Sequence, residues 1–262
     1  MWIDSHCHLD APEFDADRDE VVAEARALGV EQFLNLPGHV AHFPAALASR
    51  DRYGFATGLG IHPLWVARSA RTDIDFLRQQ VAKHRPHCIG EIGLDFFVPD
   101  YAQTEQEWFY REQLKIARDF DLPVVLHVRR SQDRLLKHLR EIKVKGGIAH
   151  AFNGSPEQAQ QFVKLGFCLG FGGAATYPQA LRIRHLLKTI PIEHLVLETD
   201  APDIPPSFLG TPGSKKRNSP VYLPRIGSML AELRGLAVEE FAAHCTQNVQ
   251  RMLSLAQPLA FR

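Results

Sequence analysis

Short β-rich runs alternate with longer helical patterns along all 262 residues, and this alternation limits the possible folds more than any other feature. Eight runs have the length and composition of strands: Trp2–Asp4, Val30–Leu36, Phe55–Gly60, His87–Glu91, Pro123–His127, Gly147–His150, Phe167–Gly170 and His194–Leu197. Amphipathic stretches lie between them, among them Asp17–Leu28, Ile74–His84, Gln103–Phe120, Ser131–Ile142, Ser155–Leu165 and Pro178–Thr189. Eight strands that are each followed by a helical segment predict an α/β fold, the closed parallel (β/α)8 or TIM barrel.

An open doubly wound sheet is the alternative explanation of the same alternation. That fold usually carries a Gly-rich dinucleotide fingerprint near its first strand, and none is present after Trp2–Asp4. Two further helical runs, Leu223–Leu233 and Val238–Leu255, end the chain, and we expect them to pack on the outer wall and floor of the barrel. Because no repeat, low-complexity tract or linker interrupts the pattern, we expect residues 1–262 to form a single domain.

Composition excludes some classes of function. Lys plus Arg equals Asp plus Glu, at 30 each, so the chain lacks the basic field of a tight, non-specific duplex binder. The neutral net charge does not exclude an enzyme that binds one or two phosphates at a local site. The four cysteines are widely spaced and form no CxxC, as in a reduced cytosolic protein. No apolar stretch reaches the roughly 20 residues of a membrane span and no signal peptide is evident, so we expect a cytoplasmic protein without a membrane partner.

The first apolar run ends in His6 and His8, two histidines separated by one residue. Side chains repeat every second position on an extended strand, so both imidazoles are expected on the same side. Such a pair can bind a divalent metal ion with two nitrogens. The alternative is a chance pair on the surface.

Ionisable residues recur at the carboxyl ends of the predicted strands, which meet at one mouth of a barrel. They are His6, His8, His62, Glu91, Asp95, His127, Arg129, His150 and Asp200. Taken singly, each has a structural alternative, such as a hydrogen-bonded histidine or a carboxylate that caps a helix. Together, four histidines and two carboxylates would be a costly set of desolvated groups without a metal ion, so the pattern indicates a metal centre.

The chain resembles the TatD family of metal-dependent deoxyribonucleases, a branch of the amidohydrolase-like metal barrels. The resemblance rests on seven motifs in the family's order, spread over nearly the whole chain. They are Asp4-Ser5-His6-Cys7-His8-Leu9-Asp10, Gly60-Ile61-His62-Pro63, Gly90-Glu91-Ile92-Gly93-Leu94-Asp95-Phe96, His127-Val128-Arg129, His150-Ala151-Phe152-Asn153-Gly154, Leu197-Glu198-Thr199-Asp200-Ala201-Pro202 and Arg217-Asn218-Ser219-Pro220.

The resemblance implies a site for two divalent metal ions. His6, His8 and Asp200 would hold one ion, His127 and His150 the other, and Glu91 would bridge both. The ions would be Zn, Mn or Mg, and mixed imidazole and carboxylate ligands suit Zn, Mn or Ni better than Mg. Glu91 and Asp200 would then be catalytic, with Asp200 taking a proton from the attacking water. Asp4 and Asp95 are expected to orient ligand histidines.

Five residues are candidates for substrate binding. His62, which is also a catalytic candidate, would donate to a phosphate oxygen or protonate a leaving group; its alternative is a helix cap beside Pro63. Arg129 would offer a planar fork to a phosphate, or would form a salt bridge to a helix carboxylate. Asn153 follows a ligand candidate and would contact the substrate. Arg217 and Asn218 complete the set.

Arg217 and Asn218 belong to a long Pro- and Gly-rich segment, 201–224, that also carries Lys215 and Lys216. Because the segment leaves the last strand, it would lie over the mouth, where the basic cluster would meet substrate phosphates. The alternative is a mobile surface loop with a solvated run of charge.

We therefore expect a metal-dependent hydrolase that cleaves phosphodiesters, in DNA first and from a 3′ end. Its partner would be a nucleic acid or another phosphodiester substrate. Metal-activated water is not selective for phosphorus, so hydrolysis of another ester, amide or lactone, including aminoacyl esters, is the alternative within enzymes. A non-catalytic metal-binding scaffold is the alternative outside them.

Overall fold

The computed structural model describes residues 1–98 and 101–254. Eight parallel strands pair in sequence order, each with the next along the chain. They are β1 Trp2–Cys7, β2 Val30–Asn35, β3 Ala56–Leu59, β4 Cys88–Asp95, β5 Val124–Arg129, β6 Gly147–Ala149, β7 Phe167–Phe171 and β8 Leu195–Leu197. The predicted (β/α)8 barrel is confirmed.

The barrel is closed between the end of β1 and the segment that directly follows β8. Cys7 and Ala201 form a parallel bridge, and the backbone N–H of His8 donates to the carbonyl of Ala201 at 2.8 Å. The N–H of Asp200 donates to the carbonyl of His6 at 2.9 Å. The closure therefore joins the two segments that carry three of the predicted metal ligands.

A helix follows every strand. The helices are α1 Arg18–Ala27, α2 Phe43–Tyr53, α3 Asp73–His84, α4 Gln103–Asp119, α5 Gln132–Glu141, α6 Pro156–Lys164, α7 Leu181–Thr189, α8 Leu223–Arg234 and α9 Val238–Leu253. The sequence analysis gave no residue range for α2. The predicted end of the last helix, Leu255, lies outside the described residues. Across residues 1–98 and 101–254, no helix combines the length and apolarity that a membrane crossing needs.

The lower part of the barrel is filled by one buried apolar side chain from each strand. These are Ile3, Leu34, Ala56, Cys88, Val125, Ile148, Cys168 and Val196. Val249 and Leu253 of α9 pack into the same cluster, so the last helix forms the expected floor. A second layer, between strands and helices, includes Phe33, Leu94 and Leu114. Because the lower interior is apolar and filled, polar chemistry is confined to the other end.

β4 runs four residues past the predicted end at Glu91 and stops at Asp95. Ile89 pairs with Val124 and Ile92 pairs with Leu126, so Gly90 and Glu91 lie opposite the single residue Val125. This two-against-one arrangement is a β-bulge, which re-aims a side chain without ending the strand. The sequence analysis expected Glu91 at the end of a strand. The structure instead places it in the middle of β4.

Candidate metal centre

Glu91 is the centre of the site, with a side chain that is only 1% exposed. Its Oε2 atom lies 3.1 Å from Nε2 of His6 and 3.5 Å from Nε2 of His8. Its Oε1 atom lies 2.8 Å from Nε2 of His150 and 2.9 Å from Nδ1 of His127. The two carboxylate oxygens thus face two different pairs of imidazoles.

Asp200 lies beside the first pair. Its Oδ1 atom is 3.3 Å from Nε2 of His6 and 3.4 Å from Nε2 of His8. The residue has φ +59°, a left-handed conformation that costs a non-glycine residue about 1–2 kcal/mol. The hydrogen bond from its N–H to the carbonyl of His6 holds this conformation and brings the carboxylate to the imidazoles.

Hydrogen bonds orient two of the imidazoles. Nδ1 of His8 lies 2.6 Å from the carbonyl of Leu36, which can only accept, so Nδ1 donates and Nε2 keeps its lone pair for the centre. Nε2 of His127 lies 3.0 Å from Oδ2 of Asp95, while Nδ1 faces Glu91. A carboxylate that holds the far nitrogen of a ligand histidine is a common feature of metal sites. The geometry agrees with the role expected for Asp95.

Asp4 acts on the backbone rather than on a histidine ring. Its Oδ1 atom accepts from the N–H of Thr199 at 3.0 Å and from the N–H of His6 at 3.3 Å. Its Oδ2 atom accepts from Oγ1 of Thr199 at 2.6 Å. Asp4 therefore ties the end of β1 to the segment after β8, and it places His6 and Asp200 through the main chain.

The donor set fits a divalent metal ion. Three groups have ligand atoms within 4.8 Å of one another: His6, Glu91 and His150; His6, His8 and Asp200; His62, Glu91 and His127. Burial alone would raise the pKa of Glu91, but the nearby imidazoles lower it well below its usual range, so the carboxylate is ionised. Imidazole and carboxylate ligands together suit borderline ions such as Zn²⁺ and Mn²⁺.

His62 caps a short helix, which is one of its two predicted alternatives, and it also lies against Glu91. Its Nδ1 atom accepts from the N–H of Leu64 at 3.1 Å and caps the short helix Pro63–Arg68. Its Nε2 atom lies 3.3 Å from Oε1 of Glu91 and 3.1 Å from Nδ1 of His127. Burial lowers the pKa of His62 to about 4 despite the opposing effect of Glu91, so the ring is neutral at pH 7. A neutral ring that accepts at Nδ1 carries its proton on Nε2 and offers a donor to the centre.

A cavity of about 910 Å³ opens above the centre. Arg129 and Asn153 line it, as expected for substrate-binding residues. The Nη1 atom of Arg129 lies 3.7 Å from Oδ2 of Asp95, so its carboxylate partner belongs to a strand and not to a helix. Oδ1 of Asn153 accepts from Nε of Arg182 at 2.8 Å.

Neither Arg217 nor Asn218 is among the residues that line the cavity, although the Asn218 amide donates to the carbonyls of Asp203 and Ile204, which do line it. Arg217 donates to the carbonyl of Glu13 at 2.6 Å and to Oδ1 of Asp17 at 2.8 Å, so its guanidinium is bound to the start of α1. Asn218 is fully buried. The structure therefore does not bring these two candidates to the centre, while Lys215 and Lys216 are exposed.

Comparison with known proteins decides the family. The TatD related DNase family matches residues 3–254. The chain belongs to this family. The TatD-family chain is also 36% identical over 260 residues to YjjV of Escherichia coli K12, an uncharacterized metal-dependent hydrolase, with 97% of this chain and 98% of that protein aligned. The resemblance noted from the motifs is confirmed, and the protein is a metal-dependent hydrolase of the TatD family.

A solved structure of YjjV and one further relative extend the comparison. The crystal structure of E. coli YjjV, a TatD homolog, superposes with a TM-score of 0.90 at 34% identity, covering 97% of this chain and 98% of that one. The 3′–5′ ssDNA/RNA exonuclease TatD of Klebsiella pneumoniae strain 342 is 34% identical over 257 residues, with 95% of this chain and 96% of that protein aligned.

The sequence analysis assigned no role to Glu198, although its side chain lies beside the candidate metal centre. Its side chain is buried, Oε1 accepts from the N–H of Ala151 at 2.6 Å, and the same oxygen lies 3.8 Å from Nδ1 of His150. A Cβ atom at Gly170 would approach Oε2 of Glu198 to 2.1 Å, so only glycine leaves room for the carboxylate. The available signal was that Glu198 and Asp200 are both ionisable, follow an apolar strand and are separated by a single residue, Thr199.

Substitution of Asn218 tests its structural role. The Nδ2 atom donates to the carbonyls of Thr199 at 2.8 Å and of Asp203 at 2.9 Å. Removing the amide in Asn218→Ala leaves the buried carbonyl of Thr199 and the partly buried bond at Asp203 without this donor, so we expect the free energy of unfolding to fall by about 2 kcal/mol. Urea denaturation measures the change. Lys216→Ala, at an exposed position of the same loop, should change stability by less than about 0.5 kcal/mol. An Asn218→Ala protein of unchanged stability but raised KM would contradict the structural role.

Proposed function

We propose that the protein hydrolyses phosphodiester bonds in single-stranded nucleic acid, DNA first, and works from the 3′ end with two divalent metal ions. The observation that carries the proposal is the division of Glu91 between two imidazole pairs, at the base of a cavity lined by arginines. The name of the Klebsiella relative, an exonuclease acting on single-stranded DNA and RNA, supports the substrate class and the polarity.

The residues divide naturally between two ions. His6, His8 and Asp200 would hold one, His127 and His150 would hold the other, and Glu91 would offer one oxygen to each. When bound, such ions polarise a phosphoryl oxygen and lower the pKa of water. Zn²⁺ and Mn²⁺ suit these ligands best, and Mg²⁺ is the third candidate.

The chain's own residues would handle protons and position the substrate. Asp200 is ionised because His8 and the neighbouring imidazoles lower its pKa against the effect of burial, so it can accept the proton of an attacking water. The Nε2–H of the neutral His62 ring would donate a hydrogen bond to a phosphoryl oxygen or to the leaving oxygen, while the proton accepted by Asp200 would be the one available to the leaving oxygen. Arg129, half exposed at the cavity wall, would bind a phosphate oxygen.

A panel of substrates tests the proposed reaction. We expect the metal-loaded protein to cleave bis(p-nitrophenyl) phosphate and a single-stranded oligodeoxynucleotide, and to release mononucleotides from the 3′ end. EDTA should abolish both activities, and Zn²⁺ or Mn²⁺ should restore them. Liquid chromatography of the products, with either end of the oligonucleotide labelled, measures rate and polarity.

Two results would contradict the proposal. Turnover of lactones or aminoacyl esters without cleavage of either phosphodiester would assign the centre to carbon–oxygen bonds. A protein that binds metal ions and turns over none of these substrates would be a scaffold. Release of mononucleotides from the 5′ end would overturn only the polarity.

A further inference from the structure

The cavity above the centre has a strongly basic wall, although the whole chain is formally neutral. Three arginines line it: Arg129, Arg130 and Arg182. All three are exposed residues. Of these three arginines, only Arg129 has a carboxylate oxygen of residues 1–98 and 101–254 within 4.0 Å, that of Asp95. The positive charge is thus gathered on one side of the centre, where an anionic substrate would meet it.

Phe97 orders two of these guanidinium groups. The guanidinium carbon of Arg129 lies 3.8 Å from the centre of the Phe97 ring, and that of Arg130 lies 4.7 Å from it. The ring is 44% exposed, which is unusual for a large apolar side chain. Stacking on an aromatic ring fixes the plane of a guanidinium and leaves its N–H edge free for a bidentate phosphate contact.

Arg182 is held in the cavity by Asn153 rather than by Phe97. Its Nε atom donates to Oδ1 of Asn153 at 2.8 Å, and the carbonyl of Asn153 accepts from Nε2 of Gln132 at 3.4 Å. This contact uses Nε and leaves the two terminal nitrogens of Arg182 available. Arg182 follows Leu181, which is 74% exposed at the start of α7.

The basic wall continues outward from the cavity. A second depression of about 370 Å³ shares Arg130 and Gln132 with the first and is also lined by Arg134 and Lys137. Arg134 is paired with Glu107 at 3.0 Å. Arg130 therefore lies between the metal centre and the open surface, on the path that a longer anionic chain would take.

We propose that Arg130 and Arg182, with Phe97 as the supporting ring, form a subsite for the phosphate next to the scissile one. The inference rests on the proposed phosphodiester hydrolysis and narrows its preferred substrate to an oligonucleotide with at least two consecutive phosphates. A dinucleotide or a simple aryl diester would reach the metal centre but leave this subsite empty.

Two trinucleotides isolate the charge of the second phosphate. One is TpTpT, and the other has a neutral methylphosphonate as the linkage 5′ to the scissile phosphate. We expect the metal-loaded wild-type protein to have a kcat/KM about tenfold higher for TpTpT, as for the loss of one charge-assisted contact. The preference should fall to near unity in the double variant Arg130→Gln, Arg182→Gln. Arg118→Gln, an exposed arginine paired with Asp119 near the end of α4, is the matched control and should keep the full preference.

Binding gives a second and independent readout. Fluorescence anisotropy with the full chain in EDTA measures the affinity for each labelled trinucleotide without turnover. For single strands, the slope of log Kobs against log salt concentration is about −0.7 for each phosphate contact. The slope measured for the double variant should therefore be shallower than that of the wild-type protein by up to about 0.7. Equal affinity of the wild-type protein for both trinucleotides, or a preference that survives in the double variant, would overturn the subsite. If neither trinucleotide is cleaved but the binding preference is present and arginine-dependent, the subsite stands and the proposed hydrolysis fails.

Discussion

Glu91→Gln is expected to lower turnover of a phosphodiester about a thousandfold or more, the scale of losing one charged group from a preorganised site. Both oxygens of Glu91 face imidazoles, at 2.8 Å for His150 and 3.1 Å for His6. An amide of the same shape offers one neutral oxygen and a nitrogen that cannot bind a cation. We therefore expect the variant to lose bound metal together with activity, as measured by kcat/KM and by elemental analysis.

The control for this variant is a carboxylate far from the centre. Glu105→Gln removes the same charge from an exposed pair with Arg71 and should leave kcat/KM and metal content unchanged. Circular dichroism of both variants shows whether the barrel is folded. Full activity of a folded Glu91→Gln protein would reject the proposed centre, and full metal content without activity would limit Glu91 to the chemical step.

Gly93→Ala is expected to lower the free energy of unfolding by about 4 kcal/mol, the combined scale of backbone strain and overpacking. Gly93 has φ +142°, which L-residues rarely adopt. A Cβ atom there would lie 2.2 Å from the carbonyl oxygen of His127, and both atoms belong to paired strands that cannot easily separate. Because the displaced residue is a candidate ligand, we also expect weaker metal binding. Urea denaturation and metal titration measure the two effects.

Gly235→Ala provides a matched comparison. Gly235 also has a positive φ, +77°, but a Cβ atom added there meets nothing within 4 Å. Only the conformational cost applies, so we expect a loss of about 1 kcal/mol and normal metal binding. Equal stability losses in the two variants would show that the contact with His127 does not matter.

The strand-end pattern predicted much of the site because a parallel barrel brings the same end of every strand together. His6 and His8 are adjacent, with ring centres 5.0 Å apart, as their spacing on a strand predicts. Asp95 reaches His127 because the two residues lie on the neighbouring strands β4 and β5. Gly93 pairs with His127 and Asp95 pairs with Arg129, so Asp95 is two residues along from the partner of His127. The predicted β1 and β4 ended too early because polar residues inside a strand resemble the residues that follow a strand.

Residues of the long loop after β8 were harder to place. Arg217 was expected over the mouth, but Asp17 at the start of α1 offers it a carboxylate at the surface. Asn218 is a residue type common in substrate contacts, yet its amide donates to backbone carbonyls of the same loop, among them the buried carbonyl of Thr199. The sequence analysis did not predict that Arg130 and Arg182 contribute to the basic wall of the cavity. Neither residue belongs to a recognisable motif, and only the fold brings them to one cavity.

The amino-acid sequence by itself determined the barrel and the residue types at its mouth, because periodicity and polarity are local properties of the chain. The tertiary structure alone decided how those residues act on one another. A bulge in β4 turns Glu91 inward, and closure between β1 and β8 brings Asp200 to His6. Both depend on pairing between segments distant along the chain. That pairing sets which oxygen faces which imidazole, and no local pattern encodes it.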